Sequence, residues 1–361
     1  MPLGEVKRGM KCEARSVIQG VDISTFEAEV VDIVSGDTAA DSPRILFRFS
    51  GPAVDRTGVG PGFSGSPIYC DGRNAGAISE SVGEYGGSLA LATPIEAILG
   101  QPVEPPTGTR PASQTPARAA RRLSAPLSMG GLSPRVASVF TRAAAKAKRV
   151  LYAAPGRPVA STFPFQQLRP GSAMAAGYAS GDITAGAVGT VAYVDDRKVW
   201  AFGHPLDSAG RRSLFLQDAY VYTIVNNPVA VEGASTYKLA VPGHNVGILS
   251  GDGLSAVAGT LGILPARFPL KVTATDQDTG RTRVITTEIA DENALDLPTG
   301  TSSLSFVGAG AVAQAAATIL GGGAPARQTG EMCARIQFRE RKAPLRFCNR
   351  YVTRSGASED G

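Results

Sequence analysis

A serine between glycines is the residue whose surroundings most clearly suggest chemistry. The run from Gly62 to Pro67 reads Gly-Phe-Ser-Gly-Ser-Pro and carries Ser64 near its centre. A serine hydroxyl is a weak nucleophile, so a protein that uses one exposes it on a tight turn and directs backbone N–H groups at the oxyanion. Glycine at positions 62 and 65 permits such a turn. The run predicts a nucleophile loop; the alternative is a glycine-rich turn between two strands.

A nucleophilic serine needs a base, and the chain contains two histidines, His204 and His244. His204 follows two β-rich runs, 188–194 and 199–203, that flank a polar turn and predict a hairpin. His244 lies in a turn before a strand, where an exposed or backbone-bonded histidine is the ordinary expectation. We therefore expect His204 to be the general base. The alternative is a histidine that only closes the end of a strand.

The segments around the serine also resemble a known family. A Gly-x-Ser-Gly-x-Pro loop followed by a hairpin, a glycine-rich loop at 83–87 and a helix at 93–99 is similar to the last barrel of trypsin-like serine proteases. Residues 57–67 are most similar to the SpoIVB-type sporulation peptidases, and the Gly-His pair at 203–204 resembles the histidine segment of that family. The resemblance implies a mainly β protein with a trypsin-like double β-barrel.

The resemblance also implies roles for individual residues. Ser64 would attack a peptide carbonyl, His204 would take and return the proton, and the N–H groups of Gly62 and Ser64 would bind the oxyanion. Phe63 stands where trypsin-like enzymes often have aspartate, so a different packing must hold this loop. A protein or peptide is the implied substrate, and no cofactor is expected.

The order of the two halves differs from that of the sporulation peptidases. In those proteins the histidine half comes first, whereas here Ser64 precedes His204 along the chain. A catalytic triad is defined by geometry and not by chain order, so a circularly permuted double barrel is an acceptable arrangement. The sequence therefore predicts the same two barrels in permuted order.

The third member of a triad is less clearly indicated. Asp252 follows His204 at a spacing similar to that of trypsin-like barrels, and a turn aspartate beside glycines is the equal alternative. Asp55 lies near the serine but out of register with the aspartate of the family, and Asp207 is too close to His204 in sequence to orient its ring. A Ser-His dyad stays open. So does a catalytically inactive, protease-like scaffold that binds envelope proteins or polymers.

Composition favours the same architecture. The 361 residues include 43 glycines and 25 prolines, aromatic residues make up only 6%, and short apolar runs alternate with turns, which is typical of barrels and sandwiches. We expect a serine half-domain at 1–100, a basic Pro/Ala/Arg-rich linker and helix at 101–150, and a histidine half-domain at 151–270. An accessory region at 271–361 would hold a hairpin, an Ala-rich helix and a Cys hairpin. The Ala-rich helix, near 306–320, is expected to pack on the protein and not to span a membrane.

The middle of the chain is strongly basic. Residues 105–181 contain eleven Lys or Arg and no Asp or Glu, although the whole chain carries a net charge of only +5. This stretch either contacts an anionic envelope polymer or folds back on the acidic remainder. Nucleic acid is not expected as a partner, because few aromatic residues are interleaved with the basic ones.

Four cysteines bear on the compartment. Cys333 and Cys348 lie on two β-like runs separated by a turn, so paired strands would place them across a hairpin. Cys12 and Cys70 would then form the second bridge, and four unrelated buried thiols are the alternative. Zinc is not expected, since no two cysteines share a short metal-type spacing. Disulfides favour an extracytoplasmic or secreted protein whose leader is missing from this sequence, with a cytoplasmic protein as the alternative.

Overall fold

The computed structural model of the protein describes residues 1–35, 42–82, 87–105, 120–122, 127–146, 151–153, 163–226, 236–290, 303–321 and 328–353. Strands dominate these residues, and three α-helices accompany them. The prediction of a mainly β protein with a few helices is confirmed. Most of the basic linker, 106–119 and 123–126, lies outside the described residues.

The first sheet is built from the amino-terminal part of the chain. Its seven strands are β1 (Lys11–Val17), β2 (Ile23–Val34), β3 (Arg44–Ser50), β4 (Pro67–Cys70), β5 (Arg73–Val82), β6 (Leu89–Pro94) and β7 (Ala120–Arg122). They pair in the order β4-β1-β2-β3-β6-β5-β7, and β4 also pairs with β5. Six of these strands therefore form a closed barrel, with β7 added at its side.

The interior of this barrel is apolar because alternate side chains of each strand point inward. Along β3, for example, Ile45, Phe47 and Phe49 are buried while their neighbours are more exposed. A disulfide between Cys12 and Cys70 joins β1 to β4, where the two residues are directly opposite in the antiparallel register. This bond is the predicted one.

The second sheet contains ten strands. They are β8 (Leu127–Gly130), β9 (Leu151–Ala153), β10 (Ala173–Gly181), β11 (Thr184–Asp195), β12 (Lys198–Ala201), β13 (Gly210–Asn226), β14 (Thr236–Asp252), β15 (Val257–Leu261), β16 (Arg267–Thr275) and β17 (Thr282–Ala290). The order is β16-β17-β10-β13-β14-β15-β12-β11-β8-β9. Because β10 pairs with β11 as well as with β13, the pairings from β10 through β13, β14, β15, β12 and β11 return to β10.

Three helices complete the body: α1 (Ile95–Leu99), α2 (Pro134–Lys146) and α3 (Ser303–Leu320). Helix α2 lies within the predicted linker and helix at 101–150, and it begins with Pro134 in the first turn, where the missing N–H of proline costs nothing. The hairpin β16–β17, which we expected in an accessory region, is part of the second sheet through the pairing of β17 with β10.

Helix α3 is the Ala-rich helix of the sequence. Its 18 residues have a mean hydropathy of 1.5, so by length and composition alone it is the one helix among the described residues that meets the requirements of a membrane span. Its buried residues Val307, Ala311 and Ala315 belong to an apolar cluster with residues of the second sheet and of α2. The Phe306 ring also packs edge-on against Phe140 of α2.

The carboxyl-terminal hairpin stands apart from both sheets. Strands β18 (Gln328–Ile336) and β19 (Leu345–Thr353) pair only with each other, and the predicted disulfide joins Cys333 to Cys348 across them. The register places Phe347 opposite Ala334, on the face of the ribbon that does not carry the disulfide. Phe347 is 58% exposed, so this face is largely open to solvent.

Candidate active site

The serine loop connects β3 to β4 and is shaped by its glycines. Gly62 and Gly65 have φ values of 93° and 91°, in the region that favours glycine. The loop is closed by two turn hydrogen bonds, from the N–H of Phe63 to Gly60 O and from the N–H of Ser66 to Phe63 O. The N–H of Gly65 donates to Ile78 O at 2.7 Å, which attaches the loop to β5. The predicted tight turn is therefore present.

Phe63 holds the loop in the barrel. Its side chain is fully buried, and its ring packs edge-on against Phe26 of β2 with the ring centroids 6.3 Å apart. Burial of an aromatic ring in this way contributes about 2 kcal/mol of hydrophobic free energy. The loop is thus held by aromatic packing at position 63.

The loop also contacts the second sheet, although it belongs to the first. The N–H of Thr190, in β11, donates to Ser64 O at 2.8 Å, and the Thr190 hydroxyl donates to Gly62 O at 3.0 Å. A side chain at Gly65 would place its Cβ 1.9 Å from Thr190 O and 2.5 Å from the nitrogen of Phe202. Gly65 is thus required by the close approach of the two sheets as well as by its backbone angle.

Among the described residues, the two backbone donors that we expect to form the oxyanion hole have no acceptor. The N–H groups of Phe63, Gly65 and Ser66 are all donors in the loop. Those of Gly62 and Ser64 donate no hydrogen bond to any part of the chain that the structure describes. The side chain of Ser64 is fully buried, and its Oγ has no hydrogen-bond partner among the described residues. An unpaired buried hydroxyl costs about 1–3 kcal/mol, so this serine is not placed there for stability.

His204 lies just beyond the end of β12, after two residues with left-handed backbone. Phe202 and Gly203 have φ values of 70° and 69°. A buried phenylalanine in this region is strained, at a cost of about 1–3 kcal/mol, and such strain often accompanies functional sites. The segment is anchored to the first sheet, because the hydroxyl of Thr93 in β6 donates to Gly203 O at 2.6 Å.

The ring of His204 is 2% exposed, and its tautomer follows from one contact. Nδ1 is 2.7 Å from the carbonyl oxygen of Pro205. A carbonyl oxygen only accepts, so Nδ1 carries a proton, and the lone pair of the neutral form of the ring is then on Nε2. A general base needs this arrangement.

Ser64 and His204 have a neighbour in common. The Ile78 carbonyl oxygen accepts the N–H of Gly65, the residue after Ser64. The same oxygen would be 2.9 Å from a Cβ at Gly203, the residue before His204. The serine loop and the histidine segment therefore meet at β5, at the contact between the two sheets.

Asp252 organises the backbone that follows the histidine. Its Oδ1 accepts the N–H of Leu206 at 2.7 Å, and its Oδ2 accepts those of Asp207 and Ala209 at 2.8 and 3.0 Å. Burial raises the pKa of this carboxyl, while the backbone hydrogen bonds and the Arg212 guanidinium act in the opposite direction. The contacts assign Asp252 to the 206–209 loop, and Nδ1 of His204 is bonded to Pro205.

The other candidate acids make different contacts. Asp55 is exposed on the turn after β3, where its Oδ1 accepts the N–H of Gly51 at 2.7 Å. Asp207 accepts a hydrogen bond from Arg212 Nη1 at 2.8 Å. The role of triad acid stays a prediction for each of them.

His244 is neither exposed nor bonded to backbone through its ring, unlike the ordinary turn histidine that we expected, because the ring is largely buried and pairs with a carboxylate. Its N–H and its Nδ1 both bond with the buried carboxylate of Asp218, and Asp218 also accepts the N–H of Gln166. The His244 ring packs edge-on against Phe163. These contacts connect β13, β14 and the segment before β10.

The sequence did not reveal Lys238, which lies under the serine loop. Its side chain is fully buried, its Nζ bonds with hydroxyl groups, and its backbone N–H donates to Pro61 O at 3.0 Å. A signal was present, because alternation along β14 places Lys238 on the same face as Ala240. Alternation does not say which groups such an inward lysine meets.

Within the described ranges, no three His, Cys, Asp or Glu side chains are grouped as ligands for a metal ion. Comparisons with family models, with curated proteins and with solved structures found no match to this chain.

Proposed function

We propose that the protein is a serine endopeptidase of the SpoIVB type, with Ser64 as nucleophile and His204 as general base. The observation that carries the proposal is the Ile78 carbonyl oxygen, which accepts the N–H of Gly65 and lies 2.9 Å from the position that a Cβ at Gly203 would take. Two segments separated by more than a hundred residues converge there, and each carries the residue type that acyl transfer requires.

The architecture that goes with this function is a trypsin-like double barrel in permuted order. The closed barrel of the first sheet supports it, and so does the pairing path in the second sheet that returns to β10. In such an arrangement the site lies between the barrels, and each barrel supplies one catalytic group. The serine comes from the barrel that is first in the chain.

The chemistry is acyl transfer in two stages. Ser64 Oγ bonds to the peptide carbonyl carbon as its proton passes to His204 Nε2, and the N–H groups of Gly62 and Ser64 bind the resulting oxyanion. The C–N bond then breaks, His204 gives the proton to the leaving amine, and an ester remains on Ser64. Water attacks this ester and loses a proton to His204, the bond between the acyl carbon and Ser64 Oγ breaks as His204 returns that proton to Oγ, and the carboxylic acid product leaves.

The group bonded to His204 Nδ1 determines the rate of peptide cleavage that we expect. In the best-studied triads a carboxylate stabilises the imidazolium, and its loss lowers the rate about ten-thousand-fold. Here Nδ1 bonds to the neutral Pro205 carbonyl, and Asp252 holds the adjoining loop. We therefore expect slow turnover, with Asp252 as a positioning residue.

Burial of the site favours a second candidate function. The side chains of Ser64 and His204 are 0% and 2% exposed, so a substrate reaches them only if the covering chain moves. If the covering chain never moves, no substrate reaches Ser64. The second candidate function is then a catalytically inactive scaffold that binds envelope proteins or polymers, with the basic linker as one contact surface.

A fluorophosphonate probe decides between the two functions. Wild type should react covalently at Ser64, and Ser64→Ala should not. Ser88→Ala is the matched control, because Ser88 is an exposed serine in the same half of the chain and its backbone carbonyl, which accepts the Phe49 N–H, is retained in the variant. Failure of the folded wild type to react would contradict the enzymatic function and favour the scaffold.

We also propose that the protein works outside the cytoplasm. Two disulfides support an oxidising compartment, where such bonds persist. Thiol labelling of the denatured native protein checks this: no cysteine should react before reduction, and all four should react afterwards. Free thiols in protein taken from its native compartment would argue for a cytoplasmic location.

A further inference from the structure

The amino group of Lys238 is enclosed by hydroxyl groups and one aromatic ring. Nζ donates to Ser16 Oγ at 2.7 Å and to Thr190 Oγ1 at 3.1 Å, and it lies 4.6 Å from the centre of the Phe63 ring. The side chain has no exposed surface. Burying an ammonium without a carboxylate partner is costly, so an arrangement of this kind requires an explanation.

The first chain of hydrogen bonds from Lys238 ends on the residue before Ser64. Ser66 Oγ donates to Phe63 O at 2.6 Å, because a carbonyl only accepts. The 2.8 Å contact between Ser16 and Ser66 therefore has Ser16 as donor. Since the ammonium donates to Ser16, the directions are fixed from Nζ through Ser16 and Ser66 to Phe63 O.

The second chain is shorter and ends one residue earlier. The Thr190 hydroxyl accepts from Nζ and donates to Gly62 O at 3.0 Å. The two chains thus fix the carbonyl groups of the two residues that precede Ser64. Those carbonyls set the planes of the peptide groups whose N–H atoms belong to Phe63 and Ser64, and the second of these is an oxyanion donor in the proposed mechanism.

The aliphatic stem of Lys238 supports the loop by packing. A side chain at Gly62 would place its Cβ 2.8 Å from the Cβ of Lys238, so the stem occupies the space beneath this glycine. The backbone N–H of Lys238 donates to Pro61 O, which fixes the start of the same turn. Lys238 therefore contacts the loop through its backbone, its stem and its amino group.

No charged group compensates the ammonium among the described residues. On β1 the ionisable neighbours of Ser16 are Glu13 and Arg15, which pair with each other at the surface. The turn at 60–66 contains no ionisable side chain. On β11, the strand of Thr190, the one carboxylate is that of Asp195, at the exposed end of the strand. Burial alone lowers the pKa of Lys238 to about 7.

We propose that Lys238 is a positioning residue, whose ammonium group fixes the backbone of the serine loop through Ser16, Ser66 and Thr190. The part of this inference that concerns catalysis rests on the proposed function. The effect of Lys238 on the shape of the loop does not depend on that function. Hydrogen bonds from an ammonium are about twice as strong as those from a neutral amine, so the loop is held most firmly when Lys238 is charged.

The test compares Lys238→Met, which keeps the stem and removes the donors, with Lys271→Met, an exposed lysine of β16. In Lys238→Met, hydrogen exchange of the N–H groups of Gly65 and Ser66 should be faster than in wild type, and exchange in the hairpin β16–β17 should be unchanged. Reaction with the fluorophosphonate should slow about 100-fold, the loss that a misplacement of about 1 Å produces. Lys271→Met should match wild type in both measurements.

A pH profile separates positioning from mere support of the fold. The ratio of the wild-type to the Lys238→Met reaction rate should fall as the pH rises through 7, because only wild type has charge-assisted bonds to lose. A ratio that does not change with pH would overturn the role of the charge. Unchanged exchange at Gly65 and Ser66 in a folded Lys238→Met would overturn the proposal as a whole.

Two further outcomes keep this test separate from that of the proposed function. If Lys238→Met does not fold, Ser16→Ala breaks only the first chain, and the exchange of the Ser66 N–H should still increase; no increase would contradict the proposal. If wild type never reacts with the probe but Lys238→Met shows the faster loop exchange, the enzymatic function fails and the positioning role is supported.

Discussion

Arg212 and Asp252 form an ion pair in the interior of the protein, with Nη1 3.6 Å from Oδ2 and both side chains almost fully buried. The carboxylate also receives the backbone N–H groups of the loop after His204. A buried charge that is paired and hydrogen-bonded in this way is costly to remove from one side only, because its partner is left without compensation.

Asp252→Asn should therefore destabilise the protein strongly. The amide NH2 would face backbone donors that the carboxylate now satisfies, and Arg212 would lose a charge partner, so we expect a loss of about 3 kcal/mol in the free energy of unfolding. Urea denaturation measures it. Asp32→Asn is the control, because the side chains of Asp32 and its partner Arg8 are both exposed and surface pairs contribute about 1 kcal/mol or less. Equal effects of the two substitutions would contradict the assignment of Asp252 to the loop.

Gly65→Ala should disrupt the contact between the two sheets. The new Cβ would lie 1.9 Å from Thr190 O, and backbone on both sides prevents it from moving away. We expect a loss of at least about 4 kcal/mol, or failure to fold. Gly72→Ala is a matched control, since Gly72 also has a positive φ but no atom lies within 4 Å of the position that its Cβ would take, and it should cost only about 1 kcal/mol. Thermal denaturation of both variants checks the difference; a stable Gly65→Ala would mean that the sheets are not in contact here.

Stability should increase with pH above neutrality because of Lys238. Burial lowers the pKa of this lysine from 10.5 to about 7. Between these values the unfolded chain binds more protons than the folded one, so the free energy of unfolding rises with pH, by at most about 1.4 kcal/mol per pH unit from this group. Below pH 7 both states are protonated and the slope from this group vanishes.

Denaturation across this pH range measures the slope in wild type, Lys238→Met and Lys271→Met. The slope due to Lys238 should be absent from Lys238→Met and present in Lys271→Met, whose substituted lysine is exposed. Identical pH dependence in all three proteins would show that Lys238 is not buried in solution.

The two disulfides should differ in their contribution to stability. Cys12 and Cys70 close a segment of 58 residues and join strands of the closed barrel. Replacing both by alanine should lower the free energy of unfolding by about 4 kcal/mol on the loop-entropy argument. Replacing Cys333 and Cys348 should leave the unfolding of the barrel unchanged, because the ribbon pairs with neither sheet. Guanidinium denaturation followed by the fluorescence of Trp200, in β12, gives both values.

The features that the sequence predicted well are local ones. Cys333 and Cys348 lie on two β-rich runs with a turn between them, and this pattern alone places them across a hairpin. The strand-turn-strand before His204 and the proline at the start of α2 were predictable for the same reason. In each case the residues that determine the structure are close in sequence.

The features that the sequence did not predict depend on distant partners. Lys238 and Ser16 are 222 positions apart, and nothing in either strand indicates the other. Asp252 was recognised as a candidate, but its hydrogen bonds with residues 206–209 depend on the pairing of β13 with β14, which local patterns do not specify. Phe63 was recognised only as a departure from aspartate, since its partner Phe26 lies on another strand.

The distance between the serine loop and its supports also has a consequence for biosynthesis. Thr190 and Lys238 are translated long after Gly62 and Ser64, because domains are made from the amino terminus at about 5–20 residues per second. The first barrel can be complete on the ribosome while the hydroxyl and ammonium groups that fix its loop do not yet exist. The nascent chain thus carries Ser64, the proposed nucleophile, in a turn that does not yet have its final shape. Only after Lys238 has emerged can the loop acquire its final form, so a chain that ends before Lys238 would lack the proposed activity even though it contains Ser64.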